Sequence, residues 1–330
     1  MRRSFALFLF LAVIAGGGAF VSLFEIDGLE GVIVRRRPVE NVVRPSAGPE
    51  SYVIPDKTPG TIRIASFNIQ AFGPHKASQP HIMNVIAQTV RRFDILAVQE
   101  IRSKDQSLIP ALVGLINSTG AKYDFLLGPR LGDTSSKEQY AYLFNTETID
   151  ADPKATYTVG DPHHRMHREP FVALFRAHGP DSREAFTFKL VNVHVDPDFV
   201  EEELNALDDV YRAVLNDGDE EDDVILIGDF NTSERNAYEL GTVPNMATAL
   251  TDTNTNILGT KAYDNLFFQA QNTVEYIGKS GVLDMLRYFN MTTETVKDVS
   301  DHLPVWADFS IYEGGAHGRV ATRRKDEQLK

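Results

Sequence analysis

Polar residues that could bind a metal ion or carry a proton stand at the ends of short apolar runs in this sequence. Glu100 and Arg102 follow the run "DILAV", His194 ends "KLVNVH", and Asp229 and Asn231 follow "VILIG". Carboxylate and amide oxygens are the ligands that Mg²⁺, Mn²⁺ and Ca²⁺ prefer. A histidine gives or takes a proton near neutral pH. The combination indicates a site with a divalent metal and general acid–base groups.

Two further runs carry residues of the same kinds. Asn68 ends "IRIASFN", and Asp301 and His302 stand just before "LPVW". Taken singly, each has a simpler explanation, since a carboxylate at a strand end usually caps a turn or a helix. A lone histidine on an apolar strand is more often a buried residue with satisfied hydrogen bonds. Five such strand ends in one chain favour a shared site.

The elements that must position these residues can be read from the apolar pattern. Eight runs have the length and composition of strands: "IRIASF", "DILAV", "YAYLF", "FVALFRA", "FKLVNVHV", "DVILIGDF", "YDNLFF" and "LPVWADFSI". Residues 198–216 repeat apolar side chains at helical spacing, which predicts a helix with Asp198 as its N-cap. A second helix is predicted over 79–92. Strands without strict helix alternation predict an α/β (α+β) sandwich of two packed sheets flanked by helices.

Composition limits the class of protein and its chemistry. With 330 residues, of which 42% are apolar, the chain has the size of one large domain plus appendages. It contains no cysteine, which excludes disulfides, thiol catalysis and cysteine-ligated metals. The net charge of −13 does not attract nucleic acid at long range. A phosphate-ester substrate would therefore need local arginines and a bound cation.

Residues 1–24 have the order of an export signal. Arg2 and Arg3 precede an apolar run and then small residues, and cleavage after Ala19 fits the small-residue rule. The alternative is an uncleaved membrane anchor, because about 20 apolar residues span a bilayer. We therefore expect a secreted or periplasmic protein, or one anchored in a membrane and facing outside. The remaining predicted segments are a Pro-rich linker over 25–60, the folded domain over 61–312 and a disordered tail over 313–330.

In chain order, the motifs resemble those of the endonuclease/exonuclease/phosphatase superfamily and, within it, the pancreatic-type deoxyribonuclease I branch. The superfamily motifs are Asn68, Glu100 in "VQE", His194 in "NVH", Asp229 and Asn231 in "GDFN", and Asp301 and His302 in "SDHLPV". The branch motifs are Arg102 after "QEI", Glu138 in "KEQYAYLF", Arg168 in "REPFVALF", the stretch "DFVEEELNALDDVY", and Asp264 in "AYDNLFF". The resemblance spans most of residues 62–311.

The resemblance implies a four-layered sandwich, DNase I-like, with its active site at one edge. It implies that Glu100, Asn68 and Asp301 hold Mg²⁺ or Mn²⁺ against the scissile phosphate. Asp229 and Asn231 would serve the same metal or a second one and would help to bind the phosphate. A structural Ca²⁺ is a further expectation from the branch.

The resemblance also implies two acid–base pairs, His194 with Glu138 and His302 with Asp264. A carboxylate behind an imidazole fixes its tautomer and stabilises its protonated form. One pair would activate water and the other would assist the leaving oxygen, and the assignment stays open. Three more side chains are expected at the substrate: Arg102 and Arg168 would contact backbone phosphates, and Tyr263 would lie beside the substrate.

Three features depart from the branch pattern. Ser136 stands where the branch usually has an aromatic residue, Asn265 stands where an arginine usually follows the aspartate, and the branch disulfide is absent. These departures weaken the expectation of tight duplex binding more than that of phosphodiester hydrolysis. Another cluster, His163, His164 and His167, has metal-like spacing but is interpreted as a histidine-rich loop.

The leading hypothesis is an exported, divalent-metal-dependent endonuclease that cuts DNA with low sequence specificity, because the expected contacts are to phosphates. We expect it to act as a monomer without an obligate protein partner. The alternative is a phosphodiesterase or phosphatase of the same fold that acts on a phospholipid or another small phosphoester. A non-catalytic binding module is disfavoured because the chain keeps every acid and histidine of the pattern.

Overall fold

A computed structural model describes most of the chain. The described residues are 24–27, 33–36, 54–132, 137–179, 181 and 183–315. The chain divides into two compact units, residues 1–51 and 52–330. Most of the predicted signal or anchor and of the tail lies outside the described residues. Within the described part, no helix is long and apolar enough to cross a membrane.

The first unit contains a small hairpin within the described residues. Strand β1 (Phe24–Asp27) pairs antiparallel with β2 (Ile33–Arg36). These strands fall where a Pro-rich linker over 25–60 is expected, and the rest of that segment up to residue 53 lies outside the described residues. The linker boundaries therefore stay a prediction.

The second unit contains twelve strands and six helices among the described residues. The strands are β3 (Thr61–Phe72), β4 (Ile95–Ile101), β5 (Tyr123–Leu127), β6 (Gln139–Asn145), β7 (Ile149–Thr158), β8 (Phe171–Ala177), β9 (Thr187–His194), β10 (Val224–Asp229), β11 (Met246–Thr248), β12 (Asp264–Gln269), β13 (Tyr276–Val282) and β14 (Val305–Ser310). The helices are α1 (Pro74–Ala77), α2 (Pro80–Val90), α3 (Leu108–Asn117), α4 (Val200–Leu215), α5 (Met285–Tyr288) and α6 (Thr293–Val299).

The twelve strands form two six-stranded mixed sheets. Sheet A has the order β13-β14-β3-β4-β6-β5, and sheet B has the order β11-β12-β10-β9-β8-β7. One central pair in each sheet is parallel, β3 with β4 and β9 with β10, and the other neighbours are antiparallel. All eight strands predicted from apolar runs are present. The four that were missed, β5, β7, β11 and β13, are the four edge strands.

Three apolar cores stack these elements into four layers. The central core packs the inner faces of the sheets together, with residues such as Ile64 and Phe188. A second core packs sheet A against α2 and α3, and a third packs sheet B against α4. This is helix on sheet on sheet on helix, so the predicted sandwich is confirmed.

The predicted helices are present with slightly shorter bounds, but the predicted cap of α4 is wrong. Phe199 is the N-cap residue, and it makes no side-chain cap hydrogen bond. Asp198 instead donates its backbone N–H to Asp196 Oδ1 at 2.9 Å. Three glutamates, beginning with Glu201, occupy the first turn of α4. They lie where the helix dipole favours negative charge, so the electrostatic part of the expectation holds.

Polar side chains join the two sheets across the central core. Gln99 of β4 donates Nε2 to Asn192 Oδ1 in β9 at 2.7 Å. Asn192 returns a hydrogen bond from Nδ2 to the carbonyl oxygen of Val98 at 3.2 Å. Both side chains are fully buried. If sheet A were shifted along sheet B, these buried polar groups would lose their hydrogen-bond partners. The hydrogen bonds therefore favour one alignment of the two sheets.

Candidate active site

The predicted site residues come from strand ends that meet at one edge of the sandwich. His194 ends β9 and Asp229 ends the parallel neighbour β10, and the two stand opposite each other in register. Asp264 begins β12, which runs antiparallel to β10, and it faces Asp229 from the other side. Gly228 makes this close strand pairing feasible. Its φ is +151°, and a Cβ there would collide with the carbonyl oxygen of Val193.

His194 and Glu138 form a buried pair. Nδ1 of His194 lies 2.9 Å from Oε2 of Glu138, and both side chains are less than a tenth exposed. The backbone N–H of His194 donates to the hydroxyl of Tyr140 at 3.0 Å. Burial alone would raise the pKa of Glu138, but the hydrogen bond and charge of His194 outweigh it and lower that pKa.

His302 and Asp264 form a second pair with the same geometry. Nδ1 of His302 lies 2.9 Å from Oδ2 of Asp264. The hydroxyl of Thr255 donates to the same oxygen at 2.7 Å, which holds the carboxylate in place. Burial opposes protonation of His302, but the charges of Asp264 and Asp229 outweigh it and raise its pKa well above the ordinary value.

The outer nitrogens of both imidazoles face one carboxylate. Nε2 of His194 lies 3.8 Å from Oδ2 of Asp229, and Nε2 of His302 lies 3.5 Å from the same oxygen. Asp229 is 1% exposed. Burial raises its pKa, and the two histidines partly offset that effect. The two pairs therefore converge on a single acidic centre.

Asn68 joins Asp229 to Glu100. Its Nδ2 donates to Oε1 of Glu100 at 3.1 Å and to Oδ2 of Asp229 at 3.0 Å. Glu100 has a positive φ of +61°, next to the irregular end of β3. Its second oxygen accepts the backbone N–H of Ala71 at 2.8 Å. The unusual backbone brings this carboxylate to the edge of the site.

The donor set fits a hard divalent cation. Asp229, Asp264 and His302 each offer an atom within 4.8 Å of the other two. Oδ1 of Asp264 is buried without a hydrogen-bond partner in the described part of the chain. Glu100 adds a carboxylate that is only partly buried. Carboxylate oxygens with one imidazole suit Mg²⁺ or Mn²⁺ rather than a thiolate-seeking metal.

Asp301 and Asn231 lie at the rim of this cluster. Oδ1 of Asp301 lies 4.0 Å from Nε2 of His302, and its side chain is half exposed. Asn231 has a positive φ and donates its backbone N–H to Oδ1 of Asp229 at 2.9 Å. Its Nδ2 donates to the carbonyl oxygen of Val195 at 2.7 Å. Asn231 thus shapes the loop that follows β10.

The two predicted arginines differ in their surroundings. Arg102 pairs with Glu100 at 2.9 Å and with Glu138 at 3.2 Å, and its side chain is 37% exposed. Arg168 is buried, with Nη1 3.2 Å from Oε1 of Glu138 and Nε donating to the carbonyl oxygen of His194. Arg102 is therefore open to an anionic ligand, whereas Arg168 mainly fixes the His194–Glu138 pair.

Tyr263 lies beside the second pair, and Asn265 lies behind it. The ring centroids of Tyr263 and His302 are 5.7 Å apart. Asn265 is buried, accepts the backbone N–H of Leu250 at 3.0 Å and donates to its carbonyl oxygen at 2.9 Å. This position therefore has a structural role here. Ser136 lies outside the described residues.

The three histidines His163, His164 and His167 lie in the connection between β7 and β8. No group of three convergent metal-ligating side chains in that part of the chain includes His163, His164 or His167. His167 stacks on Phe199, with ring centroids 5.3 Å apart. The interpretation as a loop fits this arrangement.

Sequence reasoning missed a buried lysine that supports the site. Lys76 donates Nζ to the carbonyl oxygens of Ile69 at 2.9 Å, of Val299 at 2.6 Å and of Gln70. Burial lowers its pKa to about 8. The ammonium ties the irregular end of β3 to the segment before Asp301. The sequence around Lys76 does not indicate this role, because the carbonyl groups that it binds include one from a distant part of the chain.

Comparisons with known proteins show which sequences and folds this chain is similar to. A family model described as "Endonuclease/Exonuclease/phosphatase family" matches residues 65–264. Deoxyribonuclease gamma of Rattus norvegicus is 29% identical over 288 residues, which cover 82% of this chain and 90% of the relative. Deoxyribonuclease-1-like 1 of Chlorocebus aethiops is 30% identical over 261 residues, covering 76% and 84%.

Solved structures support the same fold. The humanized TDP2 of D. rerio superimposes with a TM-score of 0.54 at 14% identity, covering 76% of this chain and 99% of that one. The human Nocturnin catalytic domain gives a TM-score of 0.52 at 16% identity, covering 77% and 95%. At these identities the likeness concerns the fold alone.

Proposed function

Because the chain belongs to the endonuclease/exonuclease/phosphatase family, with deoxyribonuclease I-like relatives, we propose that it is a divalent-metal-dependent endonuclease that hydrolyses DNA phosphodiester bonds. The observation that carries the proposal is the convergence of two imidazole–carboxylate pairs on Asp229, beside Glu100 and Asn68. The relatives named deoxyribonuclease support DNA as the substrate.

The two histidines would divide the proton transfers of hydrolysis. A water oxygen attacks the phosphorus and the bond from phosphorus to the leaving sugar oxygen breaks. One imidazole takes the proton from the water at Nε2, and the other supplies a proton to the leaving oxygen. Glu138 and Asp264 hold the opposite ring nitrogens, so that Nε2 of each histidine faces Asp229, where the substrate phosphate would bind.

A divalent cation would be held by Glu100, Asp229 and Asn68, with Asp301 at the rim. Asp264 and His302 also offer atoms close to Asp229, but they would be engaged as an acid–base pair. It would supply positive charge against the phosphate and its developing negative charge. Arg102 is exposed enough to add a contact to a backbone phosphate. Asn231 would orient the phosphate through the loop after β10. Contacts of this kind reach phosphates rather than base edges, so we infer low sequence specificity.

The N-terminal segment supports a further proposal, that the enzyme is exported. Its basic, apolar and small residues follow one another in the order of a signal, and the membrane-anchored form is the alternative. Sequencing the N-terminus of protein recovered from outside the cytoplasm distinguishes the two. A new N-terminus near residue 20 supports cleavage, and an intact N-terminus in the membrane fraction supports an anchor.

Plasmid nicking by the purified protein tests the function. Supercoiled DNA is incubated with Mg²⁺, Mn²⁺, Ca²⁺ or EDTA, and the relaxed product is measured. We expect nicking that needs a divalent cation. After longer digestion, we expect the DNA fragments to show no preferred sizes. Absence of metal-dependent cleavage, together with hydrolysis of a phospholipid or a small phosphoester, would replace this proposal with the phosphodiesterase alternative.

A further inference from the structure

Two stacked aromatic side chains stand beside the candidate active site. β8 begins at Phe171, which pairs with Asn192 near the end of β9. The segment that enters β8 and the segment that leaves β9 therefore lie at the same edge of sheet B as His194. His167 belongs to the first segment and Phe199 to the second, and their rings lie 5.3 Å apart with planes 30° apart. We call these two residues the aromatic pair.

The aromatic pair presents ring surface to solvent. Of the phenylalanines whose burial is described between residues 54 and 315, Phe199 alone is exposed, with 44% of its surface accessible. The His167 side chain is 30% exposed. Phe199 also occupies the N-cap position of α4, where a short polar side chain is preferred, and it makes no cap hydrogen bond. Neither helix capping nor burial in a core accounts for a phenylalanine at this position.

A buried carboxylate holds the two segments of the aromatic pair together. Glu203, in the first turn of α4, is 1% exposed. Its Oε1 accepts the backbone N–H of His167 at 2.8 Å, and its Oε2 accepts the backbone N–H of Asp196 at 3.0 Å. The backbone N–H of Glu203 donates to the carbonyl oxygen of Phe199 at 3.0 Å. The aromatic pair is therefore fixed in place without a ligand, which lowers the entropy cost of binding one.

The same segments continue into the His194–Glu138 pair. Arg168 follows His167 and donates Nε to the carbonyl oxygen of His194 at 3.1 Å. Oδ2 of Asp196 lies 3.8 Å from Nη2 of Arg168 and 3.9 Å from Nδ1 of His167. The aromatic pair is thus separated from the arginine that fixes His194 by a single carboxylate. A DNA strand with a phosphate at His194 would have a neighbouring nucleotide within reach of the aromatic pair.

The aromatic pair forms part of the wall of an open cavity of about 390 Å³. The other lining residues are His164, Arg165, Glu202, Glu203 and Asn205. This volume lies in the range of about 300–1,000 Å³ that is common for small-ligand sites. Glu202 is exposed and would repel a phosphate group, whereas an uncharged base meets no such repulsion. The cavity therefore fits a flat, uncharged ring better than it fits an anion.

We propose that the aromatic pair stacks against an unpaired nucleobase of the DNA strand that is being cut. This site rests on the proposed function, because its occupant is taken to be DNA. Bases within a duplex are covered by their stacked neighbours, whereas the bases of a single strand have free faces that bind aromatic side chains. Every base has such a face, so the contact is compatible with low sequence specificity. The aromatic pair thus favours single-stranded or locally unpaired DNA as a substrate.

Binding of a single-stranded oligonucleotide tests the aromatic pair apart from catalysis. The starting protein is His302→Ala with Mg²⁺ present, so that cleavage is slow, and fluorescence anisotropy gives the Kd. Adding Phe199→Ala is expected to raise the Kd by about 5–150-fold, the loss that corresponds to one base–aromatic stack. Adding Phe199→Trp is expected to preserve tight binding, because an aromatic ring remains. Circular dichroism spectra establish that each variant is folded.

Val274→Ala is the matched control. It changes a side chain that is 48% exposed and that follows the end of β12, whereas Asp264 stands at the beginning of that strand. The control is therefore at the opposite end of the sandwich from the candidate active site. Its Kd for the oligonucleotide is expected to equal that of the starting protein.

An abasic oligonucleotide separates stacking from phosphate contacts, because it keeps the sugar–phosphate chain and lacks the bases. We expect Phe199→Ala to leave the Kd for this oligonucleotide unchanged. An equal rise in Kd for both oligonucleotides would overturn the proposal, as would an unchanged Kd for the oligonucleotide that carries bases. If wild type nicks plasmid DNA and Phe199→Ala binds normally, only the aromatic pair is refuted. If wild type nicks nothing but the base-dependent loss is observed, the base site stands and the nuclease function fails.

Discussion

His194 and Glu138 meet at 2.9 Å although they belong to different sheets. His194 ends β9 in sheet B, and Glu138 stands directly before β6 in sheet A. The second pair crosses in the opposite sense, because His302 precedes β14 in sheet A and Asp264 begins β12 in sheet B. Each imidazole is thus oriented by the sheet to which it does not belong.

Replacing either histidine by alanine should abolish most of the nicking activity. General acid–base catalysis contributes about 10²–10⁴-fold, so His194→Ala and His302→Ala should each lower kcat by at least that range. Nicking rates and circular dichroism spectra of the folded variants provide the measurement. His178→Ala is the matched control, because His178 lies 2.6 Å from Asp150 in a similar pair at the far end of β8. If His194→Ala or His302→Ala is as active as His178→Ala, the histidine replaced in that variant has no part in the mechanism.

The contribution of Glu138 to stability should depend on pH. Its pKa is lowered in the folded protein from the unfolded value of 4.5. A lowered carboxyl pKa stabilises the protein fully above the unfolded pKa, and this contribution is lost as pH falls through the folded pKa. The difference in unfolding free energy between wild type and Glu138→Gln should therefore shrink as the pH falls below about 4.5. A difference that stays the same or grows as the pH falls below about 4.5 would contradict the lowered pKa of Glu138.

Chelation should stop nicking, and Glu100 should set the metal requirement. We expect EDTA to abolish activity and excess Mg²⁺ to restore it. Glu100→Gln should raise the Mg²⁺ concentration for half-maximal activity by at least about tenfold, because an amide binds the cation less strongly than a carboxylate does. A Mg²⁺ titration of nicking rates checks this. An unchanged Mg²⁺ dependence would remove Glu100 from the metal site.

Removing the ammonium of Lys76 should destabilise the protein and loosen the site. Lys76→Met leaves carbonyls of Ile69, Gln70 and Val299 without their donor, at a cost of about 1–3 kcal/mol. Denaturant unfolding measures the loss. Lys122→Met serves as the control, because Lys122 and its partner Glu147 are both more than half exposed and their pair should matter less. Equal losses in the two variants would mean that the buried carbonyl contacts add nothing.

The sequence predicts the centre of the fold better than its margins. Strands such as β10, buried on both faces, are continuous apolar runs and are recognised directly. In edge strand β7 only Ile149 is buried and the strand contains Pro153, and edge strand β13 contains Gly278 and Gly281. Their strand conformation depends on a neighbour far away in the chain. Local pattern therefore predicts the interior and misses all four edges.

For the site, the types of residue could be predicted but their supports could not. His302 and Asp264 stand in recognisable motifs, whereas Thr255, which holds Asp264, stands in an unremarkable polar loop. Lys76 likewise binds main-chain carbonyl oxygens. Every residue type has such an oxygen, so the sequence does not indicate these contacts. The different surroundings of Arg102 and Arg168 depend on packing depth, which no motif encodes.

Each histidine–carboxylate pair joins one residue from sheet A to one from sheet B, so the pairs form only when the two sheets are correctly packed together. A loosely packed chain with all its strands formed would still lack both pairs, because a slip of one residue along a strand moves an atom by about 3.3 Å. The buried hydrogen bond between Gln99 and Asn192 disfavours that slip. In the sequence, Asn68 lies near the start of the domain and His302 near its end. The last strand must therefore dock before the site is complete. Under the proposed function, an incompletely folded chain would be inactive, and this would protect the cell that makes it.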